Sequence, residues 1–275
     1  MRTIIVATDF SPAAHNAVNY AADMALAIQA QLVVLHVYQI PVAVTDTPLL
    51  MLSVDELRDA AEEKLKTLYD GLVHITSGQL PITTVARLGN TIDELEELAS
   101  NHQPFAIVLG TTGLSNFEAT LFGSTTALAI KHLNWPVLAI PAGKEYGTGI
   151  KKIGFACDFN NVRETTPFAE INNLVKTFGA SLHVVHIEKE SEEGQTKIKE
   201  SSILKLWLEE SQPSFEFITH DDIEDAINEF AENSNLDLLI VIPKKHSGLA
   251  ALFHKSNTRQ LVFHSKIPVV CLHEE

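Results

Sequence analysis

Residues 4–10 read Ile-Ile-Val-Ala-Thr-Asp-Phe, and residues 153–159 read Ile-Gly-Phe-Ala-Cys-Asp-Phe, which places Asp158 149 positions after Asp9. Each segment is a short apolar run that ends in a carboxylate, as expected for a parallel strand buried on both faces. Because the motif that opens the chain returns near its middle, we expect one structural unit that has been duplicated.

Further apolar runs are repeated in the same order: residues 32–37 recur as 182–187, residues 105–109 as 238–242, and residues 136–140 as 268–272. The offset is 150 for the first of these pairs and then falls to 133 and 132, so the second copy has lost loop residues in its middle. Helical patterns separate the runs. This alternation of strands and helices predicts an α/β fold with an open, mostly parallel sheet and helices on both of its faces.

Helix boundaries can also be predicted from the residues. Ser11 and Pro12 form an N-cap followed by a first-turn proline, and Ser53 with Glu56 forms a capping box that opens a second helix. Gly179 is a suitable left-handed C-cap for the matching helix of the second copy. The glycine-containing segment 143–149 separates the copies, so we expect domains at 1–143 and 150–275 that pack on each other.

Composition excludes several classes of protein. The 275 residues carry a formal net charge of −15, which disfavours broad electrostatic binding to nucleic acid or to anionic membranes. No apolar stretch approaches the length of a membrane span, and the two cysteines are far apart, so neither a disulfide framework nor a thiolate zinc site is expected. The N-terminal segment is typical of a buried strand and not of a signal peptide, so we expect a cytoplasmic protein.

A glycine-rich segment carries the strongest functional pattern. After the fourth strand come Gly-Thr-Thr-Gly at 110–113, nine residues, and Gly-Ser-Thr at 123–125 before a helix. Glycines allow the backbone to approach an anion closely, and the free amides of Ser124 and Thr125 at a helix N-terminus favour phosphate. Hydroxyl groups on Ser124, Thr125 and Thr111 would add donors or reach a metal. The alternative interpretation is a tight turn followed by a helix cap.

Gly110, Gly113, Gly123 and Ser124 fit the ATP-binding signature Gly-x2-Gly-x9-Gly-Ser/Thr, and in this respect the chain resembles the universal stress protein family in its tandem form. The resemblance covers essentially the whole chain, in two passes. It implies two tandem Rossmann-like domains of the adenine nucleotide α-hydrolase type, each a five-stranded parallel sheet with helices on both faces. It also implies a nucleotide held at the carboxyl edge of the sheet, where the strand order reverses.

The same resemblance implies roles for individual residues. Asp9 would accept hydrogen bonds from the adenine or ribose side, and backbone near Val37 would contribute to the adenine pocket. The alternative role for Asp9 is capping of the adjacent helix turn, although Ser11 is the better cap. In the family the last strands of two domains pair across a two-fold axis. Residues 136–140 and 268–272 could make this pairing within one chain, giving an intramolecular pseudo-dimer and leaving homodimer formation open.

The second copy departs from the signature. Pro243, His246 and His254 are aligned with the three glycines, and the loop is two residues shorter. A proline removes an amide donor, and a histidine side chain would occupy phosphate space. We therefore expect ATP in the first domain only, whether or not Mg²⁺ accompanies it.

No catalytic residue and no metal site is indicated by the sequence. There is no nucleophile elbow, no Walker lysine after the glycines, and no His or Cys grouping with ligand spacing. His36 and His186 occupy matching positions, which is accounted for by common ancestry and packing. The expected function is that of a nucleotide-responsive stress or regulatory protein that binds adenine nucleotide. The alternatives are an interaction module that binds no nucleotide and a weak ATPase.

Overall fold

The computed structural model describes residues 1–40, 53–111, 124–188, 195–243, 262 and 264–274, with the side chains of 195–199 excepted. The strands of the first half are β1 (Thr3–Ala7), β2 (Gln31–Tyr38), β3 (Ile82–Leu88), β4 (Ala106–Gly110) and β5 (Val137–Ile140). Those of the second half are β6 (Lys152–Ala156), β7 (Ser181–Glu188), β8 (Ser214–Thr219), β9 (Leu238–Val241) and β10 (Val269–Cys271).

Helices follow most of these strands. In the first half they are α1 (Pro12–Ala27), α2 (Val54–Ile75), α3 (Thr91–His102) and α4 (Ser124–His132). In the second half they are α5 (Val162–Thr165), α6 (Phe168–Phe178), α7 (Gln195–Trp207) and α8 (Ile223–Asn233), with a 3₁₀ turn at Glu209–Ser211. None of the helices in the described residues is long and apolar enough to span a membrane.

The helix caps predicted from the sequence are confirmed. The Ser11 hydroxyl accepts a hydrogen bond from the Ala14 amide, and Ser53 and Glu56 make both hydrogen bonds of the capping box. Gly179 adopts the left-handed conformation that ends α6, with φ of 61°. Local sequence therefore fixes where these helices begin and end.

All ten strands form one sheet in the order β3-β2-β1-β4-β5-β10-β9-β6-β7-β8. Neighbouring strands are parallel except β5 and β10, which are antiparallel and join the halves. The pairing predicted between segments 136–140 and 268–272 is therefore present within one chain. It leaves β3 and β8 as the outer strands, so each half protects the β5 or β10 edge of the other.

Apolar side chains pack on both faces of the sheet, as the runs of buried residues predict. One layer packs against α1, α2 and α6 and includes Ile4, Val34 and Phe155, while the other packs against α3, α4 and α8 and includes Ile5 and Leu239. Each layer contains residues from both halves, so the core is continuous across the β5–β10 junction.

The hydrogen bonds correct one sequence alignment. The Ile107 amide donates to the Pro136 carbonyl at 2.8 Å, and the Leu239 amide makes the same bond to Pro268 at 2.9 Å. Ile107 is thus equivalent to Leu239, and the offset along β4 is 132 rather than 133. Gly110 is therefore equivalent to Ile242, so the alignment of Gly110 with Pro243 was wrong by one residue.

Candidate functional site

The candidate site lies at the carboxyl ends of β1 and β4, which are neighbours in the middle of the first half. The chain leaves β1 towards β2 on one side, whereas β4 lies on the other, so the connections diverge here. Such a divergence opens a crevice beyond the strand ends in doubly wound sheets. Asp9 follows β1 and Gly110 ends β4, so these two predicted residues come to the same edge.

Asp9 is exposed at the rim of this crevice. One carboxylate oxygen, Oδ1, accepts a hydrogen bond from the Ser11 amide at 2.9 Å, while Ser11 itself caps α1. Partial burial raises the pKa of Asp9, but hydrogen bonds from Ser11 and from its own backbone, together with nearby His36, outweigh this and leave the pKa below its ordinary value. Asp9 is therefore ionised at neutral pH and presents negative charge and acceptor oxygens to the crevice.

A turn that sequence reasoning missed holds Asp9 in place. Phe10 has φ of 64°, a left-handed conformation that is uncommon for a bulky residue, and its amide donates to the Thr8 hydroxyl at 3.0 Å. His36 Nδ1 lies 2.8 Å from the Thr8 carbonyl, and because a carbonyl only accepts, Nδ1 is the protonated nitrogen. The Phe10 and His36 rings pack with centroids 4.5 Å apart. We call Thr8, Phe10 and His36 the β1 clasp.

The second half repeats this arrangement as the β6 clasp, formed by Cys157, Phe159 and His186. Phe159 has φ of 53°, its amide lies 3.4 Å from Cys157 Sγ, and His186 Nδ1 lies 2.8 Å from the Cys157 carbonyl. The ring centroids are 4.8 Å apart. The sequence signals for the clasps were the matching histidines and the repeated phenylalanines, and the explanation of the histidines by packing is consistent with this geometry.

Gly110 is required by the packing of α1. A Cβ atom at this position would lie 2.6 Å from the Ala13 carbonyl oxygen, a backbone atom in the first turn of the helix. The Thr126 hydroxyl of α4 donates to the Gly110 carbonyl at 3.0 Å. The glycine therefore lets the starts of α1 and α4 approach the end of β4 together.

The other predicted residues occupy different positions. Ser124 and Thr125 begin α4, the former exposed and the latter half-buried. Val37 is half-buried near the end of β2, where it packs on the core layer beneath α3 and pairs with Arg87 of β3. Gly113 and Gly123 lie outside the described residues.

Thr111 does not serve as a ligand donor in this arrangement, contrary to the sequence expectation. Its side chain is buried, and its hydroxyl donates to the Ile140 carbonyl at 3.3 Å. The Thr111 amide donates to the same oxygen at 2.9 Å. The residue thus continues the β4–β5 hydrogen bonding, and its hydroxyl already has an acceptor within the protein.

The corresponding edge of the second half is built differently. Asp158 keeps the hydrogen bond of Asp9, with its Oδ1 accepting from the Asn160 amide at 3.1 Å. Ile242, however, stands where Gly110 stands in the first half, and the helix after the β6 clasp is interrupted between α5 and α6 at Pro167. Residues 244–261, which include His246 and His254, lie outside the described residues.

Metal ligands are not grouped in the described part of the chain, where no cluster of three or more His, Cys, Asp or Glu side chains could hold an ion. The crevice offers backbone amides and hydroxyl groups as donors, and the Asp9 carboxylate as an acceptor. This combination suits a ligand that has an anionic group and also a polar group able to donate to a carboxylate.

Comparisons with known proteins agree with this architecture. A sequence profile of the universal stress protein family matches residues 1–141 and 149–273. A universal stress protein from Archaeoglobus fulgidus DSM 4304 is 17% identical, with a TM-score of 0.74 over 99% of this chain and 96% of that chain.

A protein from Pseudomonas aeruginosa UCBPP-PA14 whose structure is described as that of a universal stress protein is 12% identical, with a TM-score of 0.64 over 99% of this chain and 93% of that chain. Another from Archaeoglobus fulgidus, solved with dAMP, is 15% identical over 44% of this chain and 96% of that chain, with a TM-score of 0.35. No match was found among curated proteins.

Proposed function

This chain belongs to the universal stress protein family as a tandem of two family domains, and from that premise we propose that its first domain, residues 1–143, binds ATP. The site is the crevice at the carboxyl ends of β1 and β4. We further propose that the protein acts in the cytoplasm as a nucleotide-responsive stress or regulatory protein. Nucleotide occupancy would shift a conformational or partner-binding equilibrium by its differential affinity for the two states.

One observation carries the proposal: the glycine signature begins at Gly110, the residue that ends β4 beside the end of β1. The spacing to Gly113, Gly123 and Ser124 is that of the family's ATP-binding loop, with no gap or substitution. Ser124 also begins α4, whose N-terminal amides and dipole favour phosphate oxygens.

Each proposed contact follows from the chemistry of the residue. The Asp9 carboxylate accepts hydrogen bonds from the adenine or ribose side, and backbone near Val37 borders the base. The amides of Gly110, Gly113 and Gly123, with Ser124 and Thr125, surround the phosphates. Recognition of phosphate by amides is compatible with the net charge of −15, because local dipoles neutralise the ligand.

The second domain, residues 150–275, is proposed not to hold ATP in this manner. Support comes from Ile242 at the position of Gly110 and from the interrupted α5–α6 segment, which removes a continuous helix start from the strand edge. The retained Asp158 supplies only the nucleoside side of the site.

Calorimetric titration with ATP tests the proposal. We expect one site per chain for the wild type, and a loss of affinity of at least tenfold in Gly113→Ala/Gly123→Val, because side chains would displace the phosphates. The matched control is His246→Ala/His254→Ala in the second domain, which should leave the affinity unchanged. Undiminished binding in the glycine variant would remove the loop from the site, and a wild type that binds no ATP would favour an interaction module.

Hydrolysis is a separate question with its own measurement. Phosphate release well above the rate in buffer, abolished by Asp9→Asn, would promote the weak-ATPase alternative. Binding without such release supports the role of a nucleotide-responsive protein that is not an enzyme.

A further inference from the structure

A cavity of about 490 Å³ lies at the seam between the two halves, remote from the carboxyl ends of β1 and β4. One wall comes from the first half, from the segments that lead into β4 and β5. The other comes from α6 and from residues 272–274 after β10. The volume falls within the range of small-molecule sites, which often occur where two domains meet.

Aromatic rings form the apolar part of the cavity. Phe105 and Trp135 are both half-buried and line it from the first half. Phe105 also makes an edge contact with Phe178 of α6, with ring centroids 5.9 Å apart, so its position is fixed by both halves. The rings offer a planar apolar ligand a surface on which to stack.

Charges of opposite sign line the same cavity. The Arg2 guanidinium lies 5.7 Å from the centre of the Phe105 ring, which holds it at the first wall, and Glu170 projects from α6 at the second. Among the described residues neither Arg2 nor Glu170 takes part in an ion pair, so both can pair with a ligand. Asn134, Asn173 and a second acidic residue, Glu274, also line the cavity.

The pseudo-symmetric position on the other side of the seam is occupied by the chain itself. Glu170 is equivalent to Tyr20 of α1, and there Tyr146 from the segment between β5 and β6 packs edge-on against Tyr20, with centroids 5.3 Å apart. Asn16 Nδ2 donates to the carbonyls of Pro141 and Lys144 at 3.2 Å and holds this segment in place. At this pseudo-symmetric position, therefore, an aromatic ring packs between the two halves.

We propose that the seam cavity binds a small aromatic zwitterion, that is, an amino acid with a ring side chain. The ring stacks between Phe105 and Trp135, the carboxylate pairs with Arg2, and the ammonium group pairs with Glu170. This site is independent of the proposed ATP site, because it lies at the seam and shares no residue with the crevice.

Ligand binding to the cavity can be measured by the fluorescence of Trp135, which lines it. The chain has two tryptophans, so in Trp207→Phe the tryptophan fluorescence reports on the cavity alone. L-phenylalanine should change this fluorescence in a saturable manner. 3-Phenylpropanoate, phenethylamine and L-alanine, which lack the ammonium group, the carboxylate and the ring in turn, should each bind at least about tenfold more weakly.

Matched variants in the same Trp207→Phe background complete the test. Arg2→Gln should weaken L-phenylalanine binding about tenfold, whereas Lys151→Gln, at the equivalent position of the second half, should not change it. The proposal is overturned if L-phenylalanine gives no saturable change at millimolar concentration, if L-alanine binds equally well, or if both variants lose affinity alike. Calorimetry with ATP on Arg2→Gln separates the two proposals, since its ATP affinity should equal that of the parent.

Discussion

The two halves of this protein share the first strand and the clasp that follows it, yet they differ at the end of the neighbouring strand. Thr8, Phe10 and His36 in the first half are matched by Cys157, Phe159 and His186 in the second, with nearly equal distances. Since the second half keeps its clasp without the glycine signature, the clasp belongs to the fold. The glycine signature is the feature that distinguishes the half for which we propose phosphate binding.

The difference between the halves is clearest at Gly110 and Ile242, which occupy equivalent positions at the ends of β4 and β9. At Gly110 the first turn of α1 comes so close that a Cβ atom would lie 2.6 Å from the Ala13 oxygen. In the second half, where Ile242 fills this position, the corresponding helix is divided into α5 and α6. Pro167 contributes to the division because it has no amide hydrogen to donate within a helix.

The largest effect is expected from Gly110→Ile, which gives the first half the residue of the second. Overpacking against Ala13 should lower the free energy of unfolding by roughly 1–3 kcal/mol. It should also displace the start of α1 and weaken ATP binding about a hundredfold, equivalent to about 2.7 kcal/mol. Urea unfolding and calorimetry provide the two measurements.

Ile242→Val is the control for Gly110→Ile, since it alters the equivalent position without touching the crevice. It should cost about 1 kcal/mol of stability and leave ATP affinity unchanged. If Gly110→Ile retained full affinity, the close approach of α1 would be irrelevant to the site.

Much of this architecture could be predicted from the sequence, because the repeats and caps are local signals. The apolar runs predicted the buried strands, and the family resemblance implied the β5–β10 pairing. Ser11, Ser53 and Gly179 act within one turn of the chain, so their roles follow from their neighbours alone.

The features that could not be predicted depend on tertiary contacts. The run Leu-Leu-Ile-Val-Ile at 238–242 is apolar in either register, so only hydrogen bonds to β10 and β6 determine which residue matches Gly110. Thr111 looks like a donor in the sequence but bonds to Ile140, because β5 lies beside it. The contact of Gly110 with Ala13 likewise joins residues far apart in the chain.

Asp9→Asn should have the next largest effect. It keeps the shape of the side chain but removes the charge, and because charge-assisted hydrogen bonds are stronger, we expect about tenfold weaker ATP binding. Asp158→Asn is the matched variant, because that carboxylate accepts the same type of backbone hydrogen bond. Equal losses of ATP affinity in the two variants would contradict an ATP site confined to the first domain.

The pKa of Asp9 also predicts a pH dependence. Since the folded pKa lies below the unfolded reference of 3.8, folding favours the ionised form, and this contribution to stability is fully present above the unfolded pKa. It is lost as the pH falls through the lowered folded pKa. The difference in the free energy of unfolding between wild type and Asp9→Asn should therefore change across that acidic range, as the Asp9 contribution is lost. Urea unfolding at a series of pH values measures this difference.

The smallest effect on ligand binding is expected from His36→Phe, which keeps a ring beside Phe10 and removes the hydrogen bond to the Thr8 carbonyl. The lost bond should cost about 1 kcal/mol of stability, and His186→Phe should cost at least as much because His186 is buried. ATP affinity should fall only a few-fold in His36→Phe, since the clasp holds Asp9 through the backbone, and should not change in His186→Phe. Equal stability losses with no change of affinity in either variant would show that the clasps serve folding alone, and that the crevice depends on Gly110 and its neighbours.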